Sequence, residues 1–173
     1  MADASICIGW VLPHEAGTPP NYGINPDPTQ ADPNAQVCAG INSHWYPDDF
    51  AAIAALPEDQ RAPAVYAFYN RVFWSQWLAG LSSNAIAAYV LDAEVNESQR
   101  IGADLLEEAV DACGANVAVD GSLGPRTVAA ANTISPAILL PALQTAREAA
   151  YRRIGGPNLK GWLARAALTP PFA

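Results

Sequence analysis

Glu15 is the residue whose type and setting first suggest chemistry. It closes an apolar run, Ile6-Cys7-Ile8-Gly9-Trp10-Val11-Leu12, with His14 before it and Ala16-Gly17 behind. A carboxyl at the edge of an apolar helix is partly desolvated, which favours its protonated form and suits a general acid. The other reading is a solvated glutamate just past a helix end, and the residues by themselves favour it. Tyr22 stands beside Gly23 in a proline-rich stretch, where an aromatic ring offers a large amphipathic surface to a ligand. Asp27 follows in the same stretch as half of an Asp27-Pro28 pair, so it is either a second acid or a turn former. Asp92 and Asn96, four apart on one predicted helix face, offer a carboxylate and an amide. Each has a structural alternative, a helix brace for Asp92 and a core-facing amide for Asn96. His14 and His44 are too few and too isolated for a metal site, and Cys7, Cys38 and Cys113 have spacings unlike any zinc motif. Small buried hydrophobes or free thiols are the favoured reading of these cysteines over a disulfide. No cofactor is expected.

The elements that must position these residues are mostly helical. Residues from about Ala4 to Glu15 predict a first helix, which Pro13 should end or kink. From Ala16 to Tyr46 the chain is rich in breakers: Pro19-Pro20, Asn25-Pro26, Asp27-Pro28 and Asp32-Pro33. A loop of this length is usually functional or mobile, and it has room for a short hairpin around Tyr22-Gly23-Ile24. Helix starts follow at Pro47-Asp48-Asp49, Pro57-Glu58-Asp59 and Pro63. The last of these predicts a buried central helix with Tyr66, Tyr69, Phe73 and Trp77 on one face. Further helices are predicted over Asn84 to Ser98, Gly102 to Ala112, from Gly124-Pro125, over Ile138 to Ile154, and around Gly161-Trp162-Leu163. The fold class is therefore mainly α with one large proline-rich loop.

Composition bounds the partners. The 173 residues are 51% hydrophobic and 15% charged, enough apolar surface for a core. The formal net charge is -8 and Lys160 is the sole lysine, a poor match to nucleic acid phosphates. No run approaches the ~20 apolar residues of a membrane span, so no transmembrane segment is expected. The apolar start lacks a basic lead and a small-residue cleavage site, so no signal peptide is recognised.

Six pieces of the chain, in order, are similar to the glycoside hydrolase family 108 muramidases of phage lysins and some bacterial secretion systems. His14-Glu15-Ala16-Gly17 resembles the family's His-Glu-Gly-Gly, and Asn21-Tyr22-Gly23-Ile24 its aromatic-Gly-Ile element. Tyr69 with Phe73-Trp74 resembles a Tyr-x-x-x-Tyr-Trp helix, and Asp92-Ala93-Glu94-Val95-Asn96 an Asp-x-x-Val-Asn helix. Near the C-terminus, Asp120-Gly121-Ser122-Leu123-Gly124-Pro125-Arg126-Thr127 resembles the Asp-Gly-x-Ile-Gly-Pro-x-Thr turn of peptidoglycan-binding helical modules. Gly161-Trp162-Leu163-Ala164-Arg165 resembles the Gly-Trp-Leu-x-Arg close. The chain departs from the pattern after the glutamate. Thr18-Pro19-Pro20 stands where the family has an acid-rich segment and a threonine, and the insert after Ile24 is its own.

The resemblance implies a lysozyme-like catalytic lobe over residues 1–100 and a C-terminal helical, peptidoglycan-binding-like lobe over residues 101–173. It implies cleavage of the β-1,4 bond between N-acetylmuramic acid and N-acetylglucosamine, with Glu15 as general acid. Asp27 is then the candidate second carboxylate, and Tyr22, Asp92 and Asn96 are candidate glycan contacts. A lytic transglycosylase-like enzyme and a non-catalytic wall-binding or virion structural protein are the competing readings. Peptidoglycan glycan strands are the expected partner, reached after holin-type release, secretion-system export or delivery in a virion.

Overall fold

The computed structural model describes residues 1–172, and they are mainly helical, with 60% helix and 4% strand. The order along the chain is α1 (Ala4–Ala16), β1 (Asn25–Pro26), β2 (Gln36–Cys38), β3 (Ile41–Asn42), α2 (Pro47–Ala54) and α3 (Arg61–Val72). There follow α4 (Gln76–Gly80), α5 (Asn84–Asn96), α6 (Gln99–Ala112), α7 (Pro125–Thr133), α8 (Pro136–Ile154) and α9 (Leu159–Ala166). None of these helices is long and apolar enough to cross a membrane.

The chain divides into two compact units, Ile8–Val72 and Met1–Cys7 with Phe73–Ala173. Within the second of these units α5 and α6 pack extensively on one another.

In the unit Ile8–Val72 the core is Ile8, Val11, Leu12, Ile41, Phe50, Ile53, Val65 and Phe68. Burial of each such side chain contributes roughly 1.5–3 kcal/mol. Pro13 neither ends nor displaces α1; the helix runs through it to Ala16, and the Pro13 carbonyl accepts the Gly17 N–H at 3.0 Å. A single missing N–H removes one helical bond and leaves the rest of the ladder intact. The proline-rich stretch is ordered as a three-stranded antiparallel meander, β1-β2-β3. Its register pairs Asn25 with Val37 and Cys38 with Ile41. The hairpin thus begins just after Tyr22-Gly23-Ile24. Between β1 and β2 the chain turns on its own polar groups, with Asp32 N–H donating to Thr29 Oγ1 at 2.8 Å and Asn34 N–H to Asp32 Oδ1 at 2.9 Å.

The predicted central helix from Pro63 is shorter and less buried than its sequence suggests. α3 stops at Val72 and buries only Val65, Phe68 and Tyr69, so Phe73 and Trp77 do not continue its stripe. Ser75 starts a new helix instead, its Oγ accepting the Leu78 N–H at 3.2 Å. An N-cap outcompetes apolar periodicity here because it satisfies backbone donors that a continuing helix would not expose. The central helix is α5, in the unit with Phe73–Ala173, where every residue from Ala85 to Glu94 is buried.

Candidate functional site

Glu15 lies in the last turn of α1, half-buried, and the β2–β3 turn is laid against it. That turn is Ala39-Gly40, with φ of 47° and 79°, the two-residue form that needs positive φ at both positions. A methyl group at Gly40 would lie 3.0 Å from Glu15 Oε2 and 2.6 Å from the Tyr69 hydroxyl. Glycine is therefore required twice over, by conformation and by space. The Tyr69 hydroxyl donates to the Ala39 carbonyl at 2.8 Å and fixes the turn from α3. One carboxyl and one phenol thus crowd a single backbone turn, with Trp10 and His14 in edge-to-face contact at 4.6 Å on the same helix. A carboxyl so confined has few rotamers and can present a proton in one direction. Gly40 escaped the sequence reading, and Tyr69 entered it only as part of an aromatic stripe and of the resemblance carried by Tyr69 and Phe73-Trp74, with no site role. The available signal was the Ala39-Gly40 pair between two short β-like runs.

The Tyr22 backbone is tied to two other elements of its unit. Its carbonyl accepts Arg61 Nη1 at 2.9 Å and Cys38 Sγ at 3.3 Å. Arg61 Nε also donates to the Leu56 carbonyl at 3.0 Å, so one guanidinium ties the loop to the end of α2. The Tyr22 ring is half-buried. Asp27 is exposed just beyond β1, its backbone N–H donating to Ala35 O at 2.8 Å. Its Oδ2 accepts Asn42 Nδ2 at 2.7 Å, and Asn42 is buried on β3. Glu15, Tyr22 and Asp27 therefore share one unit, and each is held by named partners or neighbours.

In the other unit, the segment resembling a wall-binding turn is latched by a carboxylate that the sequence reading passed over. Glu107 on α6 is buried, and its Oε2 accepts the N–H groups of Asp120 and Gly121 at 3.0 and 2.9 Å. Its Oε1 accepts Thr127 Oγ1 at 3.3 Å from α7. Three donors around one buried carboxylate offset its desolvation and set the 120–127 geometry. At the C-terminal end, Trp162 of α9 stacks on Tyr151 with ring centroids 5.5 Å apart, and the Tyr89 hydroxyl donates to Ala166 O at 2.7 Å.

Residues 100–167 match the family described as "Predicted Peptidoglycan domain". No curated protein matches the chain. The match spans α6 to α9 and includes the latched turn, so peptidoglycan is the partner that this region supports.

Asp92 and Asn96, on α5, lie just ahead of the peptidoglycan-domain region and bond into it. Asp92 is wholly buried, and its Oδ2 accepts Arg147 Nη1 at 2.8 Å and Arg165 Nε at 3.1 Å. Its Oδ1 accepts Arg165 Nη2 at 2.9 Å. Arg147 is also wholly buried, between the rings of Tyr89 and Tyr151, and its Nε donates to Glu97 Oε1 at 3.0 Å. Burial works against its charge, but the facing Asp92 carboxylate holds the guanidinium above its ordinary range. Asn96 Nδ2 donates to the Tyr151 hydroxyl at 2.8 Å, and burial pushes that phenol up to about 12. Two carboxylates and two guanidiniums thus neutralise one another inside the unit. These contacts fit the bracing alternative for Asp92 and the inward-facing amide for Asn96. They also join two of the recognised motifs, since Asp92 and Arg165 come from different ones.

Proposed function

We propose that the chain is a muramidase-type glycoside hydrolase that cuts the glycan strands of peptidoglycan, with Glu15 as the general acid. The observation that carries this reading is the Glu15 carboxyl, half-buried at the end of α1 and faced by the Gly40 turn and the Tyr69 hydroxyl. A carboxyl held in one direction is what protonation of a glycosidic oxygen requires. The match at residues 100–167 supplies the substrate class. Asp27 is better read as a brace for the meander than as a second acid, because its carboxylate is exposed and bonded to Asn42. A single-glutamate site works if the sugar's own acetamido group assists. Acting on the wall also requires a route across the membrane, by holin-type release, secretion-system export or delivery in a virion.

The deciding experiment is digestion of purified peptidoglycan followed by mass analysis of the fragments. Hydrated reducing ends support hydrolysis, anhydro ends indicate a transglycosylase, and intact strands leave a non-catalytic wall-binding protein. Glu15→Gln keeps the side chain's shape and should lower turnover by about 10²–10⁴-fold with little change in Tm. Asp27→Asn keeps an acceptor for Asn42 and should retain near-normal turnover. A collapse in the Asp27 variant alone, with its fold intact, would assign the second carboxylate to it.

A further inference from the structure

Glu94 lies one turn from the ion cluster on α5 but takes no part in it. It is 4% exposed, and among the described residues no hydrogen bond or ion pair reaches its carboxyl. Desolvation alone raises it to about 8, so it is largely protonated at neutral pH and presents one O–H donor. The burial is imposed by α6. Gly102 has no side chain, and a Cβ there would collide with Glu94 Cγ. Its carboxyl oxygens are not sealed in the core but open onto a cavity, where a protonated carboxyl can donate to a ligand.

Glu94 borders a cavity of about 380 Å³ that also exposes Trp77, Gln99, Arg100, Ser122 and Leu123. This is large enough for one substituted sugar ring and too small for an extended strand. Trp77 is half-buried and offers an indole to a ring face. The Arg100 side chain is 76% exposed and only loosely paired with Asp104, at 3.9 Å, so its guanidinium can exchange partners. Ser122 and Leu123 belong to the turn that Glu107 latches, which fixes one wall of the cavity.

We propose that this cavity is a saccharide subsite for an N-acylated, carboxylate-bearing sugar of the muramic acid type. Glu94 donates to the acyl carbonyl, Trp77 covers the ring and Arg100 meets the carboxylate. The inference rests on the peptidoglycan reading of residues 100–167 and names which chemical features that region recognises. A cationic amino sugar is the poorer occupant, because it would need Glu94 ionised in a setting that disfavours ionisation.

The test titrates the full-length protein with free N-acetylmuramic acid, N-acetylglucosamine and glucosamine, read by NMR shifts of the Trp77 indole N–H. N-acetylmuramic acid should saturate the shift, and N-acetylglucosamine, without the carboxylate, should bind about tenfold more weakly. Arg100→Ala should erase most of that difference. Glu94→Gln retains a donor and should bind within about threefold of the parent, whereas Glu94→Met should lose about tenfold. Because no protein group among the described residues bonds to the Glu94 carboxyl, Tm of the Met variant should be unchanged or higher. Absence of a saturable shift, equal binding by the Met variant, or preference for glucosamine would each overturn the subsite. Co-sedimentation with purified sacculi separates the two levels. Protein that pellets but shows no sugar-dependent shift keeps the peptidoglycan reading and loses the subsite; protein that does neither loses both.

Discussion

At Gly40, conformation, space and chemistry meet in one residue. Its φ of +79° disfavours any side chain, and a methyl would press on Glu15 and the Tyr69 hydroxyl at once. Gly40→Ala should therefore lower stability by about 1–3 kcal/mol. Activity should fall further than stability explains, since displacement of a catalytic group by ~1 Å can forfeit on the order of 10²-fold in rate. Thermal melts beside peptidoglycan turnover would separate the two effects, and equal losses in both would detach Gly40 from the site. Glu94 makes a second prediction at this scale. Its folded value of about 8 lies above the ordinary 4.5, so between these values the unfolded chain ionises while the folded one stays protonated. Fewer protons are then bound in the unfolded state, and stability falls as pH rises through that window, by a few kcal/mol in total. Glu94→Gln should abolish this decline. Its Tm advantage over the parent should be absent at pH 4 and full by about pH 9. Parallel Tm curves across the range would contradict the assignment.

Among the elements, α5 is the one on which the larger unit depends. Ten consecutive residues, Ala85 to Glu94, are buried, and its Asp92 carries the contacts from α8 and α9 through Arg147 and Arg165. Removing one partner of such a cluster leaves a buried charge uncompensated. Arg147→Met should destabilise the protein by about 3–5 kcal/mol, a loss that denaturant unfolding would register. Asp92→Asn in that background should recover part of it, because the stranded carboxylate is then neutral. Failure of that recovery would mean that packing of the guanidinium between Tyr89 and Tyr151, not charge, is what the cluster supplies. The α3–α4 break shows the same logic in reverse. There a single serine cap ended an aromatic stripe that periodicity alone would extend to Trp77.

For the whole molecule, the net charge of -8 sets the terms on which it meets a wall. Bacterial envelopes are generally anionic, so recognition has to come from shape, stacking and directional hydrogen bonds against a repulsive background. Added salt screens that repulsion. Co-sedimentation with sacculi should hold or improve as NaCl rises from about 50 mM to about 300 mM. A steep loss over that range would instead show that a local basic patch dominates binding.

The amino-acid sequence by itself determined a good deal. Breakers, caps and apolar spacing mark almost every helix, because these are local effects that act within a few residues of chain. The motifs around Glu15, Tyr22, Asp92 and Asp120-Gly121 stand out by their resemblance to a known family's, and the last lies within the segment that matches a peptidoglycan domain. Only the tertiary structure decided what those residues touch. Asp92 and Asn96 read equally well as ligands or braces until Arg147, Arg165 and Tyr151, more than fifty positions away, are brought to them. Tyr69 passes for core until its hydroxyl meets the Ala39 carbonyl. Glu94 passes for an unremarked helix residue until Gly102 lets α6 close over it and leaves its carboxyl at the edge of a cavity. Helical periodicity says which face a residue occupies. What lies opposite that face is set by long-range packing, and burial and charge acquire their sign only there.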